Sequence, residues 1–362
     1  MRRFTWLAAA AVASLLAVPA VASADNLAVQ VGGEVAGKPF IDLQGIYPKK
    51  PVVHVGDSID FSIVGFHTIA VLPNGTDALP LIVPTGGNFP ATNDAAGNPF
   101  WWSDVAPELA FNGAIFAPTS TTFDDTALVH STPPPAAPTP FSVTFTKAGT
   151  YVLACEIHPF MRGSVKVVDA GLKVRPFAKQ EKKGMQQLRK DAKHAKKLDK
   201  KLAKNRKHHG NNKARSHGHH GHKVAKNATV RTGAGTKRFS LLRFYPSDTT
   251  VKVGGTVTWK WTGFNEVHTV TILEQPGLDD LASALFAGPS LDPVGALPTE
   301  APGAPVVHTA DVHGNGLLGS GLIPDPAGAA PNTFMAQFNS PGVFSYRCLI
   351  HDGMTGTITV KA

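Results

Sequence analysis

Two short stretches hold the residues with the most chemistry to offer. Cys155-Glu156-Ile157-His158-Pro159-Phe160-Met161 and Cys348-Leu349-Ile350-His351-Asp352-Gly353-Met354 both read Cys-x-x-His-x-x-Met, and their cysteines are the only two in the chain. A thiolate, an imidazole and a thioether on one loop form a soft ligand set. A second His from elsewhere would complete a trigonal His2Cys site with a weak axial Met, the set that holds a blue copper ion. A disulfide between the two cysteines would explain two of these residues and leave the matched His and Met unexplained. The spacing therefore predicts two metal centres, one in each half of the chain.

A ligand from a separate strand is needed to hold such a loop open. His67 and His268 fit: each follows a strand that ends in Gly-Phe (Gly65-Phe66, Gly263-Phe264), and each precedes a Thr (Thr68, Thr269). The expected ligand sets are His67, Cys155, His158 and Met161 for the first centre, and His268, Cys348, His351 and Met354 for the second. His54, His130, His308 and His313 are the rival histidines. His54 precedes a turn, and the other three fall in irregular stretches. Backbone amides near Thr68 and Thr269 are placed to hydrogen-bond the two thiolates.

The elements that position these ligands read as β-strands. Ile59, Phe61 and Ile63 alternate with Ser58, Asp60 and Ser62, the period of a half-buried strand. Phe141, Val143 and Phe145 alternate again, and Lys147-Ala148-Gly149-Thr150 marks a turn. Tyr151, Leu153 and Cys155 then share one face, because side chains two apart point the same way. Val165 and Val167 open a final strand. Between Leu72 and Pro140 the pattern dissolves into Pro, Gly, Asn and Thr, with an aromatic patch at Phe100-Trp101-Trp102. Long stretches without periodicity are usually functional or disordered; the aromatics favour an ordered, packed cover.

The second half repeats the first. Tyr47-Pro48 corresponds to Tyr245-Pro246, Gly56 to Gly254, and Phe141, Phe145, Tyr151, Cys155 to Phe334, Phe338, Phe344, Cys348. The insertion recurs in kind: 88 positions separate His67 from Cys155, and 80 separate His268 from Cys348. Repeat symmetry breaks before the upstream His, where Gly263-Phe264-Asn265-Glu266-Val267-His268 is three residues longer than its counterpart. Length and composition suit two domains. The expected division is 1–24 as a secretory leader, 25–172 as the first domain, 173–228 as a basic, His-rich linker and 229–362 as the second domain. The leader shows Arg2-Arg3, an apolar run from Trp6 to Val18 and a small-residue cleavage site at Ala22-Ser23-Ala24. It places the chain outside the cytoplasm, in a periplasm, cell envelope or extracellular space.

The net charge of +9 is misleading. From Lys173 to Lys223 stand 18 basic and 3 acidic residues, leaving 17 basic and 23 acidic elsewhere, out of 35 and 26 in the chain. The basic character belongs to the linker and gives no reason to expect nucleic acid as a partner of an exported chain. Met185, Leu188, Ala192, Ala195, Leu198 and Leu202 recur at three- and four-residue steps there, which predicts an amphipathic helix. His208, His209, His217, His219, His220 and His222 follow in a tract that cannot build a core. Three readings of the linker stand: a solvated charged spacer, a tract that collects extra metal ions, or an attachment to an anionic membrane or cell-wall surface. It is also placed to fold back on the acidic first half, where residues 25–172 hold 6 basic and 13 acidic residues.

The loop Cys155-Glu156-Ile157-His158-Pro159-Phe160-Met161-Arg162-Gly163, with Val55-Gly56-Asp57 and Gly65-Phe66-His67 upstream, resembles the plastocyanin/azurin family of cupredoxins and has an amicyanin-like copper loop. The resemblance covers the strands and loop around each centre, in two tandem copies, and leaves out the insertions, leader and linker. It implies an all-β chain of two Greek-key β-sandwiches, joined by a basic linker that is partly helical or disordered. Each sandwich would hold one type 1 copper that shuttles electrons to redox partner proteins. Two other functions compete with an electron carrier. Copper storage or delivery would need exposed, exchangeable ligands. A multicopper oxidase or nitrite reductase would need a His beside the ligand Cys, where this chain has Ala154, Glu156, Arg347 and Leu349. The chain is therefore expected not to be an enzyme.

Overall fold

The computed structural model describes residues 26–117, 119–134, 140–209, 224–262, 266–304, 306–323 and 332–362. The expected leader, the Gly263-Phe264 turn and the His-rich tract from His217 to His222 lie outside the described residues. Within them the chain is all-β in character, with two β-sandwiches and one long helix.

The first sandwich packs two five-stranded sheets. One runs in the order Ile46–Tyr47, Asn26–Gly32, Ser58–Val64, Phe141–Phe145, Thr122–Phe123. The other runs Val129–His130, Ala70–Leu72, Gly149–Ala154, Arg162–Val168, Val52–His54. Alternation dictates which side chains enter the space between them. Ile59, Phe61, Phe141, Val143, Phe145, Tyr151 and Leu153 are all buried there, and Cys155 lies at the end of that row.

The second sandwich is built the same way. Asn227–Thr236 runs parallel to Gly255–Trp261 as Asn26–Gly32 runs parallel to Ser58–Val64. Gly342–Arg347 pairs antiparallel with Thr355–Lys361 as Gly149–Ala154 pairs with Arg162–Val168. Trp259, Phe334, Phe338 and Tyr346 fill its core with Cys348 and Met354. One of its sheets has a sixth strand, and that strand comes from the first half: Ile41–Leu43 pairs antiparallel with Phe239–Tyr245.

The stretch from Leu72 to Pro140 is more regular than its composition suggests. Ile82–Asn88 and Pro107–Phe111 form a hairpin, and Thr122–Phe123 and Val129–His130 add short edges to the two sheets. Short strands with Pro and Gly in them escape a periodicity test because they expose too few alternating side chains. Phe100 and Trp102 of the aromatic patch are buried between the insertions of the two halves, and Trp101 is exposed at their edge. Trp102 stacks on Phe100 at 5.0 Å and is fully buried, and Trp101 donates its indole N–H to the Pro298 carbonyl at 2.8 Å. His313 bridges Asp94 and Glu300 at 3.0 Å each, tying the same two insertions.

A solvated spacer does not describe the first part of the linker. Phe177–His209 is a helix of 33 residues that packs on Asn26–Gly32, Ile41–Leu43 and Ile46–Tyr47 of the first half and Phe239–Tyr245 of the second. Leu188, Ala192, Ala195, Leu198 and Leu202 contact Val35, Ile41, Leu43, Ala234, Phe239 and Leu241. Met185 points away and is exposed. Two acids on the packed face bind both halves. Asp191 accepts from the Tyr47 hydroxyl at 3.2 Å and pairs with Arg238 at 3.2 Å. Asp199 accepts from the Tyr245 hydroxyl at 3.1 Å and pairs with Lys38 at 2.9 Å. Ala195, fully buried, lies midway between them in sequence. The two Tyr-Pro copies thus grip one helix, about two turns apart.

Candidate metal centres

The fold brings His67, Cys155 and His158 together, and likewise His268, Cys348 and His351. Cys155 sits where Gly149–Ala154 ends, and the loop closes when the Cys155 N–H donates to the Met161 carbonyl at 3.0 Å and the Met161 N–H to the His158 carbonyl at 2.9 Å. The second copy closes identically, from Cys348 to Met354 at 2.9 Å and from Met354 to His351 at 3.1 Å. His67 Nδ1 lies 2.9 Å from His158 Nδ1, and Cys155 Sγ lies 3.6 Å from His158 Nδ1. His268 Nδ1 lies 3.1 Å from His351 Nδ1, and Cys348 Sγ lies 3.5 Å from His351 Nδ1 and 3.8 Å from His268 Nδ1. The His and Cys ligating atoms of each cluster are all within 4.8 Å of one another. Met161 and Met354 are buried in the same cores as their cysteines.

The thiolates are held from the backbone. The Thr68 N–H points at Cys155 Sγ at 3.4 Å, and the Thr269 N–H at Cys348 Sγ at 3.4 Å. Each Thr hydroxyl is fixed in turn by the amide that follows the Cys, Glu156 at 2.9 Å and Leu349 at 2.7 Å. The upstream His is seated on a glycine in each copy. Gly32 (φ +74°) and Gly233 (φ +65°) leave the space that the His67 and His268 rings occupy, and a Cβ there would overlap them.

Burial alone would push the Cys155 thiol up, but hydrogen bonds and positive charge from His158 and His67 outweigh it and hold the group well below the usual thiol range. Cys348 is held down in the same way, against burial, by His351 and His268. The imidazoles move oppositely. Burial disfavours their charge, yet Asp42 raises His67 to about 9, and Cys348 with Glu266 raises His351 to about 10.

The outward nitrogens of these rings were not legible from the ligand spacing. His67 Nε2 meets Asp42 at 3.1 Å. His158 Nε2 meets Glu266 Oε1 at 3.1 Å, and His351 Nε2 meets Glu266 Oε2 at 3.3 Å. One buried carboxylate therefore joins the loop histidines of both clusters. Burial pushes Glu266 up, but His158 and His351 hold it well below the usual carboxylate range. Gln44 donates to Glu266, and to Asp42 at 2.9 Å. The backbone carbonyl of Glu266 accepts from the Trp261 indole at 2.7 Å. Glu266 lies in the three extra residues where the repeat symmetry breaks, which was the available signal.

The rival histidines bind elsewhere. His54 meets Asp57 at 3.3 Å and the Leu172 carbonyl at 2.9 Å, His130 pairs with Glu156 at 2.8 Å, and His308 meets the Gly316 carbonyl at 3.1 Å.

No family model matches the chain, and no curated protein matches it. Solved structures similar to it include dithionite-reduced auracyanin from Roseiflexus castenholzii, 17% identical over 39% of this chain and 100% of that one, with a TM-score of 0.26. Plastocyanin from Dryopteris crassirhizoma is 24% identical over 37% of this chain and 99% of that one, with a TM-score of 0.20. A purple cupredoxin from Nitrosopumilus maritimus is 18% identical over 37% and 99%, with a TM-score of 0.19.

Proposed function

We propose that the chain is an exported blue copper protein that carries single electrons at two type 1 centres, formed by His67, Cys155, His158 and Met161 and by His268, Cys348, His351 and Met354. The observation that carries this reading is the convergence, twice, of two imidazole Nδ1 atoms on a buried thiolate that also accepts a backbone N–H. The donor set fits copper: two borderline imidazole nitrogens and one soft sulfur, with a buried thioether on the same loop, are the residues that would hold it. When bound, copper supplies a reversible Cu(II)/Cu(I) couple.

The chain's own residues do the rest. Asp42 and Glu266 hold the protons on Nε2 of His67, His158 and His351, which leaves each Nδ1 lone pair facing the sulfur. The amides of Thr68 and Thr269 stabilise negative charge on sulfur. The rigid sandwich ends keep the ligands in one arrangement in both redox states and exclude water. The buried ligands argue for retention of the ion over its delivery. Ala154, Glu156, Arg347 and Leu349 offer no neighbouring imidazole through which a catalytic copper would be coupled. The acceptors are therefore other redox proteins. Among the described residues no helix is long and apolar enough to cross a membrane.

Copper-loaded protein is expected to show intense thiolate-to-copper absorption, to hold two coppers in the folded halves and to reduce reversibly by one electron at each. Cys155→Ser is expected to remove half the absorption. A colourless protein, or metal held only by the His-rich tract, would sink this reading.

A further inference from the structure

We infer that Glu266 is a positioning residue shared by the two centres, which makes them one coupled unit. The inference rests on the blue copper reading above and extends it to a residue outside both ligand sets. Three observations carry it. Glu266 belongs to the second half, yet its Oε1 receives the Nε2 of His158, which belongs to the first. Its Oε2 receives the Nε2 of His351. The side chain is buried between them, with only 9% of its surface exposed; Gln44 from the first half donates to its carboxylate, and Trp261 from the second half holds its backbone carbonyl.

A carboxylate has two oxygens and so satisfies two imidazole N–H groups at once. Its negative charge lies between two ligand sets that each carry one positive charge when Cu(II) meets a thiolate and none when Cu(I) does. In a buried site such a charge is weakly screened, so each oxidised centre is stabilised by the same group. The arrangement also turns both loop histidines inward, toward one another.

The test uses the full chain in two single-centre backgrounds. Cys348→Ser leaves the first centre and Cys155→Ser leaves the second. Glu266→Gln is introduced into each, and midpoint potentials are measured. Gln has the volume of Glu but no charge, and one oxygen where two N–H groups need two. A unit charge acting over roughly 7 Å at an effective dielectric near 20 corresponds to a factor of about fifty. The reduction equilibrium constant is therefore expected to rise by at least about tenfold at both centres. A rise confined to the second centre would overturn the inference, because Glu266 would then serve its own half alone.

A metal-free measurement stands beside it. In ¹⁵N-labelled apo protein, Glu266→Gln is expected to move the Nε2–H resonances of both His158 and His351; movement of one only, or of neither, overturns the inference. Glu266→Asp keeps the charge and cannot span both rings, so one of the two resonances should stay in place. Asp42, His158 and Glu266 also converge within 4.8 Å. A third metal equivalent bound by the wild type and lost in Glu266→Gln would assign the carboxylate to a cation instead. Absence of blue colour in both single-centre backgrounds would refute the copper reading, and the apo resonances would still decide whether Glu266 is shared.

Discussion

Gly32 gives the sharpest single-residue test of how the first centre is held. Its φ of +74° lies in the left-handed region, and a Cβ placed on it would overlap the His67 ring and the Val64 carbonyl. Gly32→Ala therefore faces two costs. The left-handed backbone costs a β-carbon about 1–2 kcal/mol. Forcing the ring or the strand to shift adds about 1–3 kcal/mol, the usual range for overpacking. The sum, about 2–5 kcal/mol, lies below the total stability of an ordinary domain, so the chain is expected to fold. The cheaper escape is for His67 to leave its place, since it is anchored outward only by Asp42. Gly233→Ala does the same to His268. The control is Gly37→Ala: its φ is +70°, and nothing lies within 4 Å of the added carbon. Copper stoichiometry and thiolate absorption then separate the effects. Gly32→Ala and Gly233→Ala should each hold one copper with half the absorption, and Gly37→Ala should hold two. If Gly32→Ala keeps both coppers with an unchanged spectrum, or if Gly37→Ala also loses a centre, the glycine seat is not what positions the histidine.

Three further outcomes follow from packing and charge. Burial holds the Tyr47, Tyr245 and Tyr346 phenols well above their ordinary value of 10.0. They stay protonated in the fold where the unfolded chain ionises, so the unfolded chain binds fewer protons above pH 10. Stability is expected to be intact below pH 10 and to fall above it by about 1.4 kcal/mol per pH unit for each phenol, or about 4 for the three; a flat denaturation midpoint between pH 10 and 11 would contradict this. Ala195→Glu places a charge at the fully buried midpoint of the helix and should cost at least about 3 kcal/mol by denaturant unfolding, with both halves losing stability together. Trp102→Ala should cost about 3–5 kcal/mol and leave both copper spectra in place, because the ring lies in the layer between the insertions and not in either sandwich core. Loss of copper colour in that variant would mean the insertions hold the ligand loops.

The clusters were legible because their information is local. Cys, His and Met at three-residue steps fix a loop, and a strand with alternating Phe and Tyr fixes what the Cys faces. The upstream histidines could be found from the Gly-Phe that ends a strand. The contacts between the halves were harder to read, because they depend on residues far apart in sequence. Asp191 and Asp199 stand among the many basic residues of the helix, yet each is buried against a Tyr from one half and a base from the other. Asp42 stands in a short Ile-Asp-Leu strand, where nothing in the local pattern singles it out. Glu266 was a lone acid in a three-residue insertion. Each gains meaning only when the second sandwich is brought against the first. The hairpin and short edges between Ile82 and His130 escaped for a simpler reason: strands of two to seven residues containing Gly and Pro give too little pattern.

The strand Ile41–Leu43 was made by the first half and is used by the second. Chains emerge N-terminus first, and domains fold as they emerge. In a chain that folds in that order, the donor strand would be in place before its acceptor, Phe239–Tyr245, is available. A second half produced alone would show that acceptor as an open sheet edge carrying Phe239, Leu241 and Phe244, the kind of edge that recruits other chains. The loan runs one way among the described residues: the second half takes an edge strand from the first, and no strand of the second half joins a sheet of the first. Separating them again would take more than cutting the helix: the later copy would have to grow an edge of its own.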